Sequence, residues 1–420
     1  MALQRSKQEI IDDLSSKLVH LDVEKDLTKL AQHGLKIQYD HTEYDVWQEN
    51  SLMGGRFGIL SMMLRIDEFD EAIFKYQFNN ALKSVNPKQG LSIFDGLAGV
   101  GNTMIGTKKY DFTNVVSQIE LYIDKIINDL SNDIPDSMIE HGYGLAGIGQ
   151  FYLQRYDVGE NVVKQIISLQ NYYISRFGDD TNSDNLIKDW AFSTLGQETR
   201  DINLSVSHGL AGVMIFLIDS TIRVGSNQKL DNLITKIGEL ISKYSIWDET
   251  NNFRLYATNL SNDTDIHNVV RNDSWCYGTS GFEIAMLKYA IFNKDTVAAE
   301  KCLQSLKYVI EHSAYVRSFS ICHGLAGLVF IGNIVNNALG YPYIDVSEAE
   351  ERIIAGYTDD DYFGYADHKL GVVGDEDNLT TDLGMLTGVS GILYALSEPN
   401  YYNAFEYAMG MNMTGYEFLV

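Results

Sequence analysis

Seven copies of Gly-x-x-Gly, each running into an apolar stretch, constrain this chain more than any other feature. They begin at Gly55 (GRFGILSMML), Gly96 (GLAGVGNTMI), Gly144 (GLAGIGQFYL), Gly209 (GLAGVMIFLI), Gly278 (GTSGFEIAML), Gly324 (GLAGLVFIGN) and Gly388 (GVSGILYALS). Successive first glycines lie 41, 48, 65, 69, 46 and 64 residues apart. Such a period leaves room for one further helix, and sometimes a long loop, between each pair of glycine-started helices.

Those further helices are visible in the hydrophobic periodicity. In 228–244, apolar residues fall at Leu230, Leu233, Ile234, Ile237, Leu240, Ile241 and Tyr244, a one-faced stripe at helical spacing. The stretch 115–130 repeats it with Val116, Ile119, Ile123, Ile126, Ile127 and Leu130. Helices with one wet face belong outside, whereas the glycine-started runs are apolar nearly all round and belong inside. The pattern predicts an all-α protein: an α/α toroid, a double barrel of seven inner and seven outer helices, as one domain over 1–420. Composition agrees. With 45% hydrophobic and 21% charged residues the chain can build a large core, and 4 prolines against 35 glycines suit helices punctuated by glycine turns.

In a closed ring the seven Gly-x-x-Gly turns share one rim, and the residues before each first glycine converge on the axis. At that position stand Gly54, Asp95, Tyr143, His208, Tyr277, His323 and Thr387. One place earlier, in SWCYGTSGF and SICHGLAGL, stand Cys276 and Cys322, two of the chain's three cysteines in one register of neighbouring units. Cys302, on the apolar face of VAAEKCLQSLKYVI, reads as core. Cys276, Cys322 and His323 form a candidate three-ligand set for one Zn2+, since thiolate and imidazole are the donors zinc prefers and three ligands leave a fourth position open. A zinc rich in thiolate favours the activation of an incoming thiol. Asp95 is a further rim carboxylate, for which helix N-capping is expected ahead of catalysis.

The motifs Trp275-Cys276-Tyr277-Gly278, Cys322-His323-Gly324 and Asp382-Leu383-Gly384-Met385-Leu386-Thr387-Gly388, set in the seven-fold repeat, resemble those of the lanthionine synthetase C family over essentially the whole chain. The resemblance implies a lanthipeptide cyclase. Such enzymes add a cysteine thiol of a dehydrated precursor peptide, leader plus core, across dehydroalanine or dehydrobutyrine to form thioether rings. It implies that Cys276, Cys322 and His323 hold the zinc, and that His208, in NLSVSHGLAG, is the acid/base group. Tyr277 would hydrogen-bond to the enolate oxygen or simply pack.

Two positions depart from the family. Where it usually carries an aspartate, four residues before the first glycine of the third unit, this chain has Glu140, with Asp136 as second choice. Where it carries an arginine, four residues before the first cysteine, Asn272 stands and Arg271 lies one residue earlier. A local bulge would return Arg271 to the site; otherwise its role is lost.

A net charge of −25 argues against binding nucleic acid or a membrane surface through bulk electrostatics. No apolar run reaches membrane-spanning length, and three scattered cysteines without a secretory leader point to the cytoplasm. The family implies a separate dehydratase and an exporter as partners, and through them a place at the membrane periphery. The acidic stretches LSNDTDIHNVV and TDDDYF read as solvated surface, and 178–203, directly before His208, as a lid or peptide-binding edge. Competing readings are a transferase adding glutathione to dehydroamino acids in proteins, a zinc prenyltransferase or glycosidase on the same toroid, and a non-catalytic peptide-binding scaffold. A prenyltransferase would want a carboxylate among its ligands, and a glycosidase a rim carboxylate pair.

Overall fold

The computed structural model describes residues 5–22, 26, 36–39, 42–45, 47–66, 69–105, 109–129, 134–155, 157, 159–178, 190–192, 201–261, 264–368, 379–397 and 404–416. Seven inner helices follow the seven glycine motifs: α2 (Arg56–Ile66), α4 (Leu97–Met104), α6 (Leu145–Gln154), α8 (Leu210–Val224), α10 (Thr279–Phe292), α12 (Leu325–Leu339) and α14 (Val389–Leu396). Between them run the outer helices α3 (Glu71–Ser84), α5 (Thr113–Asp129), α7 (Glu160–Phe177), α9 (Gln228–Lys243), α11 (Thr296–Glu311) and α13 (Ser347–Gly356). The seventh outer helix comes from the other end of the chain: α1 (Lys7–Val19) packs on α14, α2 and α3 and joins the last unit to the first. The expected stripe of α9 is the buried one, from Leu230 to Ile241.

Ring closure is drawn in backbone hydrogen bonds. The N–H of Met53 donates to the carbonyl of Phe94 (3.3 Å), Phe94 to Gly142 (3.3 Å), Gly142 to Ser207 (2.9 Å) and Ser207 to Cys276 (3.4 Å). Cys276 then donates to Cys322 (3.3 Å), Cys322 to Leu386 (2.9 Å) and Leu386 back to Met53 (3.1 Å). Every member stands two residues before the first glycine of its unit, so one position of the repeat builds a closed seven-membered crown.

Outer and inner helices begin differently. Four outer helices carry ordinary side-chain caps, Ser6 on α1, Asp70 on α3, Asn227 on α9 and Asp295 on α11, while α7 and α13 start without one. From α4 onward, inner helices start on a glycine with no capping side chain. Before α4, α8, α10, α12 and α14 the loop folds back instead, and its carbonyls take free N–H groups: Leu325 donates to Ser318 and Ala326 to Phe319, as Leu97 does to Gly90 and Ala98 to Leu91. This return explains the second glycine. A Cβ on Gly281 would stand 1.9 Å from the carbonyl oxygen of Trp275, and one on Gly327 2.1 Å from that of Ile321, six residues back in each case.

The inner barrel is filled from within its own chain, which the periodicity did not foretell. Helix α15 (Ala404–Ala408) packs on α4 and α6, and its Phe405 meets Phe330 of α12 at a tilt and Tyr394 of α14 edge-on, so it lies on the barrel axis. Met409 and Met411 continue the buried plug. Its far end is tied to Asp219, which accepts from the hydroxyl of Tyr416, from Lys288 Nζ (2.8 Å) and from Gln150 Nε2 (2.9 Å). The inner helices are therefore not wholly apolar toward the axis.

Among the described residues, four short antiparallel ladders sit in the loops: β1 (Lys36–Tyr39) with β2 (Thr42–Asp45), β3 (Ile202–Asn203) with β6 (Asn259–Leu260), β4 (Ser245–Asp248) with β5 (Phe253–Tyr256), and β7 (Asp367–His368) with β8 (Leu379–Thr380). Of the stretch 178–203 expected to edge the site, 179–189 and 193–200 lie outside the described residues. One acidic residue read as surface is not: Asp361 is buried and accepts from Thr381 Oγ1 at 2.7 Å and the Phe363 N–H at 2.9 Å.

Candidate active site on the rim

The rim repeats a further element, a serine four residues before the first glycine. Ser51, Ser92, Ser205, Ser274 and Ser320 each accept, through Oγ, the N–H of the residue just before that glycine. The seventh unit has Gly384 there, and the third has Glu140. Glu140 Oε1 performs the serine's task by accepting from the Tyr143 N–H at 2.7 Å. Its longer arm leaves Oε2 for the Gly142 N–H (2.6 Å) and for His208 Nδ1, 3.0 Å away in the next unit.

Glu140 is fully buried, while the His208 side chain stays about a quarter exposed at the rim. Burial disfavours the imidazolium, but the Glu140 charge and hydrogen bond outweigh it, with the Cys276 sulfur adding, and His208 is held above the ordinary histidine pKa. His208 is thus an imidazole with one nitrogen on a carboxylate and a raised proton affinity, the arrangement general acid/base work requires.

Next to it lie the sulfurs. Cys276 and Cys322 are buried and hydrogen-bonded to each other, and Cys276 Sγ is 3.6 Å from Ser274 Oγ. The bond from Cys322 pulls Cys276 below the usual thiol range against the effect of burial, with His323 and His208 adding, while Cys322 is pushed well above it. Among the described residues no three His, Cys, Asp or Glu side chains are gathered tightly enough to hold a metal ion, and His323 lies near enough to act on the Cys276 sulfur electrostatically. The donor chemistry, two paired sulfurs and an adjacent imidazole, still fits a thiophilic ion such as zinc.

Tyr277 borders the same space, its ring 6.0 Å from that of His208 at 45°. Two further candidates are held elsewhere. Asp136 lies in a single turn (Asp136–Met138) with Arg176 Nη2 at 3.8 Å. Arg271 turns away from the crown: its guanidinium binds Asp273 at 2.7 Å and the His312 carbonyl at 3.0 Å, over the faces of Phe253 and Tyr315. Asn272 has its own reason to be there, since its Oδ1 accepts the Ser274 N–H at 2.9 Å, as Asn203 does for Ser205 and Asp382 for Gly384.

Asp95 does not cap a helix. Gly96 is the N-cap of α4, and the Asp95 carboxylate accepts instead from Ser51 Oγ at 2.6 Å and from the Tyr143 hydroxyl. Tyr143 shares the register of His208 yet had no assigned role; the signal was its place in the list of residues preceding each first glycine.

A family model described as lanthionine synthetase C-like protein matches residues 46–406. The nisin biosynthesis protein NisC of Lactococcus lactis subsp. lactis is 23% identical over 428 residues, covering 94% of this chain and 95% of that one. A solved structure of nisin cyclase superposes with a TM-score of 0.72 at 19% identity, covering 96% of this chain and 97% of that one, which establishes the shared toroid. With the match spanning most of its length, the chain belongs to the lanthionine synthetase C-like family.

Proposed function

We propose that this protein is a zinc-dependent cyclase that adds a cysteine thiol of a dehydrated peptide across dehydroalanine or dehydrobutyrine, forming lanthionine or methyllanthionine thioethers. The observation that carries this reading is the paired Cys276 and Cys322 sulfurs in adjoining units, next to an imidazole held by a buried carboxylate. Cys276, Cys322 and His323 are the residues that would hold zinc. When bound, the ion would lower the pKa of an incoming thiol while preserving its nucleophilicity.

The chain's own residues do the rest. In the addition the S–H bond and the π bond between the α- and β-carbons break, a bond forms from sulfur to the β-carbon, and the π electrons, held as the enolate, take up a proton at the α-carbon. His208 takes the proton and returns it, and Glu140 stabilises the imidazolium between the two transfers. Tyr277 offers a hydroxyl at the edge of this space for the oxygen that carries the enolate charge. The reading extends to a separate dehydratase that supplies the substrate, an exporter that removes the product, and a cytoplasmic place beside them. No helix among the described residues is long and apolar enough to cross a membrane.

The test is to measure zinc per chain, incubate the protein with a dehydrated cysteine-containing peptide, and count remaining thiols by alkylation and mass spectrometry. Wild-type protein should carry one zinc and consume thiols, and Cys276→Ala and Cys322→Ala should lose both. Retention of metal and thiol consumption by these variants would refute the assignment. A parallel reaction of glutathione with a cysteine-free dehydrated peptide separates a cyclase from a small-thiol transferase.

A further inference from the structure

The rim holds a hydrogen-bonded group that the proposed chemistry leaves unused. Ser51 Oγ accepts the Gly54 N–H at 2.8 Å and donates to Asp95 Oδ1 at 2.6 Å. Asp95 also accepts from the hydroxyl of Tyr143, whose ring lies parallel to the His208 imidazole, 5° between planes and 5.7 Å between centroids. The chain of contacts runs through units one, two, three and four and ends on His208.

We propose that Tyr143 and Asp95 are positioning residues for His208: the hydroxyl tether to Asp95 fixes the Tyr143 ring, and that ring fixes the plane of the imidazole. The inference rests on His208 being the acid/base group.

A single hydrogen bond from His208 Nδ1 to Glu140 leaves the ring free to swing about the N···O direction, and catalysis needs Nε2 aimed. Phe94 meets the imidazole edge-on, at 77° and 6.4 Å, and Tyr277 is tilted by 45°. Tyr143 alone among these neighbours presents a parallel face. It is itself doubly held, by its N–H on Glu140 Oε1 and its hydroxyl on Asp95. Glu140 therefore fixes both the imidazole and the backbone of the ring that flanks it. Asp95 has no competing duty, because Gly96 caps α4 and the loop carbonyls of Gly90 and Leu91 serve that helix's first N–H groups. A half-buried carboxylate is better held when hydrogen-bonded, and both its described partners belong to this relay.

The test compares Tyr143→Phe, Tyr143→Leu and Asp95→Asn in the full zinc-loaded chain. Tyr143→Phe removes one oxygen and keeps the ring, so folding is preserved and is checked by thermal melting. Tyr143→Phe and Asp95→Asn should lower kcat about tenfold with KM changed less than about twofold, and Tyr143→Leu should lower kcat about 100-fold. In a His208→Ala background, Tyr143→Phe should cost nothing further. Independently of turnover, histidine labelled with 15N should show the His208 ring signals shifted or doubled in Tyr143→Phe, reporting a loosened orientation. Wild-type kcat and unshifted His208 signals in Tyr143→Phe and Asp95→Asn would overturn the inference. If wild-type protein itself fails to cyclise, the functional reading falls, while the ring signals still decide the positioning role.

Discussion

Replacing Glu140 with serine separates the fold from the chemistry, because serine is what five of the other six units carry at this position. The substitution removes a buried carboxylate with three partners: the N–H groups of Tyr143 and Gly142 and the Nδ1 of His208. In the variant the serine hydroxyl takes the Tyr143 N–H, as Ser205 takes that of His208 and Ser320 that of His323. The Gly142 N–H already donates to Ser207 at 2.9 Å in the crown and stays paired. His208 is about a quarter exposed, so water replaces its lost partner. No buried donor is orphaned, and the folding cost should be at most about 3 kcal/mol, the upper end for a lost charged hydrogen bond, with Tm lowered by no more than about 4 °C. Catalysis should suffer far more, because His208 loses the group that fixes its tautomer and stabilises its charge; kcat should drop by about 10²- to 10⁴-fold. The assay is thiol consumption with a dehydrated cysteine peptide, read beside thermal melting and zinc content. A soluble, zinc-loaded variant keeping more than about a tenth of wild-type kcat would refute the role given to Glu140. An unfolded variant would refute the equivalence of the seven rim positions.

The raised His208 pKa carries a sign. Its contribution to stability is fully present below the unfolded value, about 6.5, and fades as pH rises through the higher folded value. In urea titrations wild type should therefore exceed Glu140→Ser most near pH 6 and least at alkaline pH. Gly281→Ala should cost about 3 kcal/mol or fail to fold, since its Cβ meets the Trp275 carbonyl at 1.9 Å, as circular dichroism melting would show. Lys288→Met should cost about 3 kcal/mol by leaving Asp219 buried without its cation, and Asp219→Leu combined with it should recover part of that loss in denaturant titration. Arg271→Ala should lower Tm more than kcat, because its partners are Asp273, His312 and the aromatic rings around them rather than the crown.

The ring was legible because its determinant is backbone crowding, which only glycine permits and which therefore prints itself in the sequence seven times. The one-faced stripe of α9 was legible for the ordinary reason that an outer helix has one wet side. The plug was not, since Phe405, Met409 and Met411 are buried by the barrel around them and carry no period of their own. Within the site, His208 and Glu140 stood in readable register, but the choice between Glu140 and Asp136 turned on reach. Glu140 occupies the serine place of the repeat, whereas Asp136 sits in the preceding turn beside Arg176. Asp95 was misread as a cap because inner helices of this fold take their caps from loop carbonyls, which no side-chain pattern records.

The crown also accounts for where the cysteines stand. Its seven hydrogen bonds use only backbone atoms, so the side chain two residues before each first glycine carries no part of ring closure. The occupants differ accordingly: Met53, Phe94, Gly142, Ser207, Cys276, Cys322 and Leu386. Cysteines placed there in adjoining units have backbones joined directly, the Cys276 N–H on the Cys322 carbonyl, and their sulfurs meet without any local Cys-x-x-Cys loop. The following residue is equally free to vary, and there the fold sets Asp95, Tyr143, His208, Tyr277 and His323 in sequence along the rim. A ring closed by its backbone thus leaves two adjacent layers of side chains free to vary, one holding the two cysteines and the other the imidazoles, phenols and carboxylate of the rim.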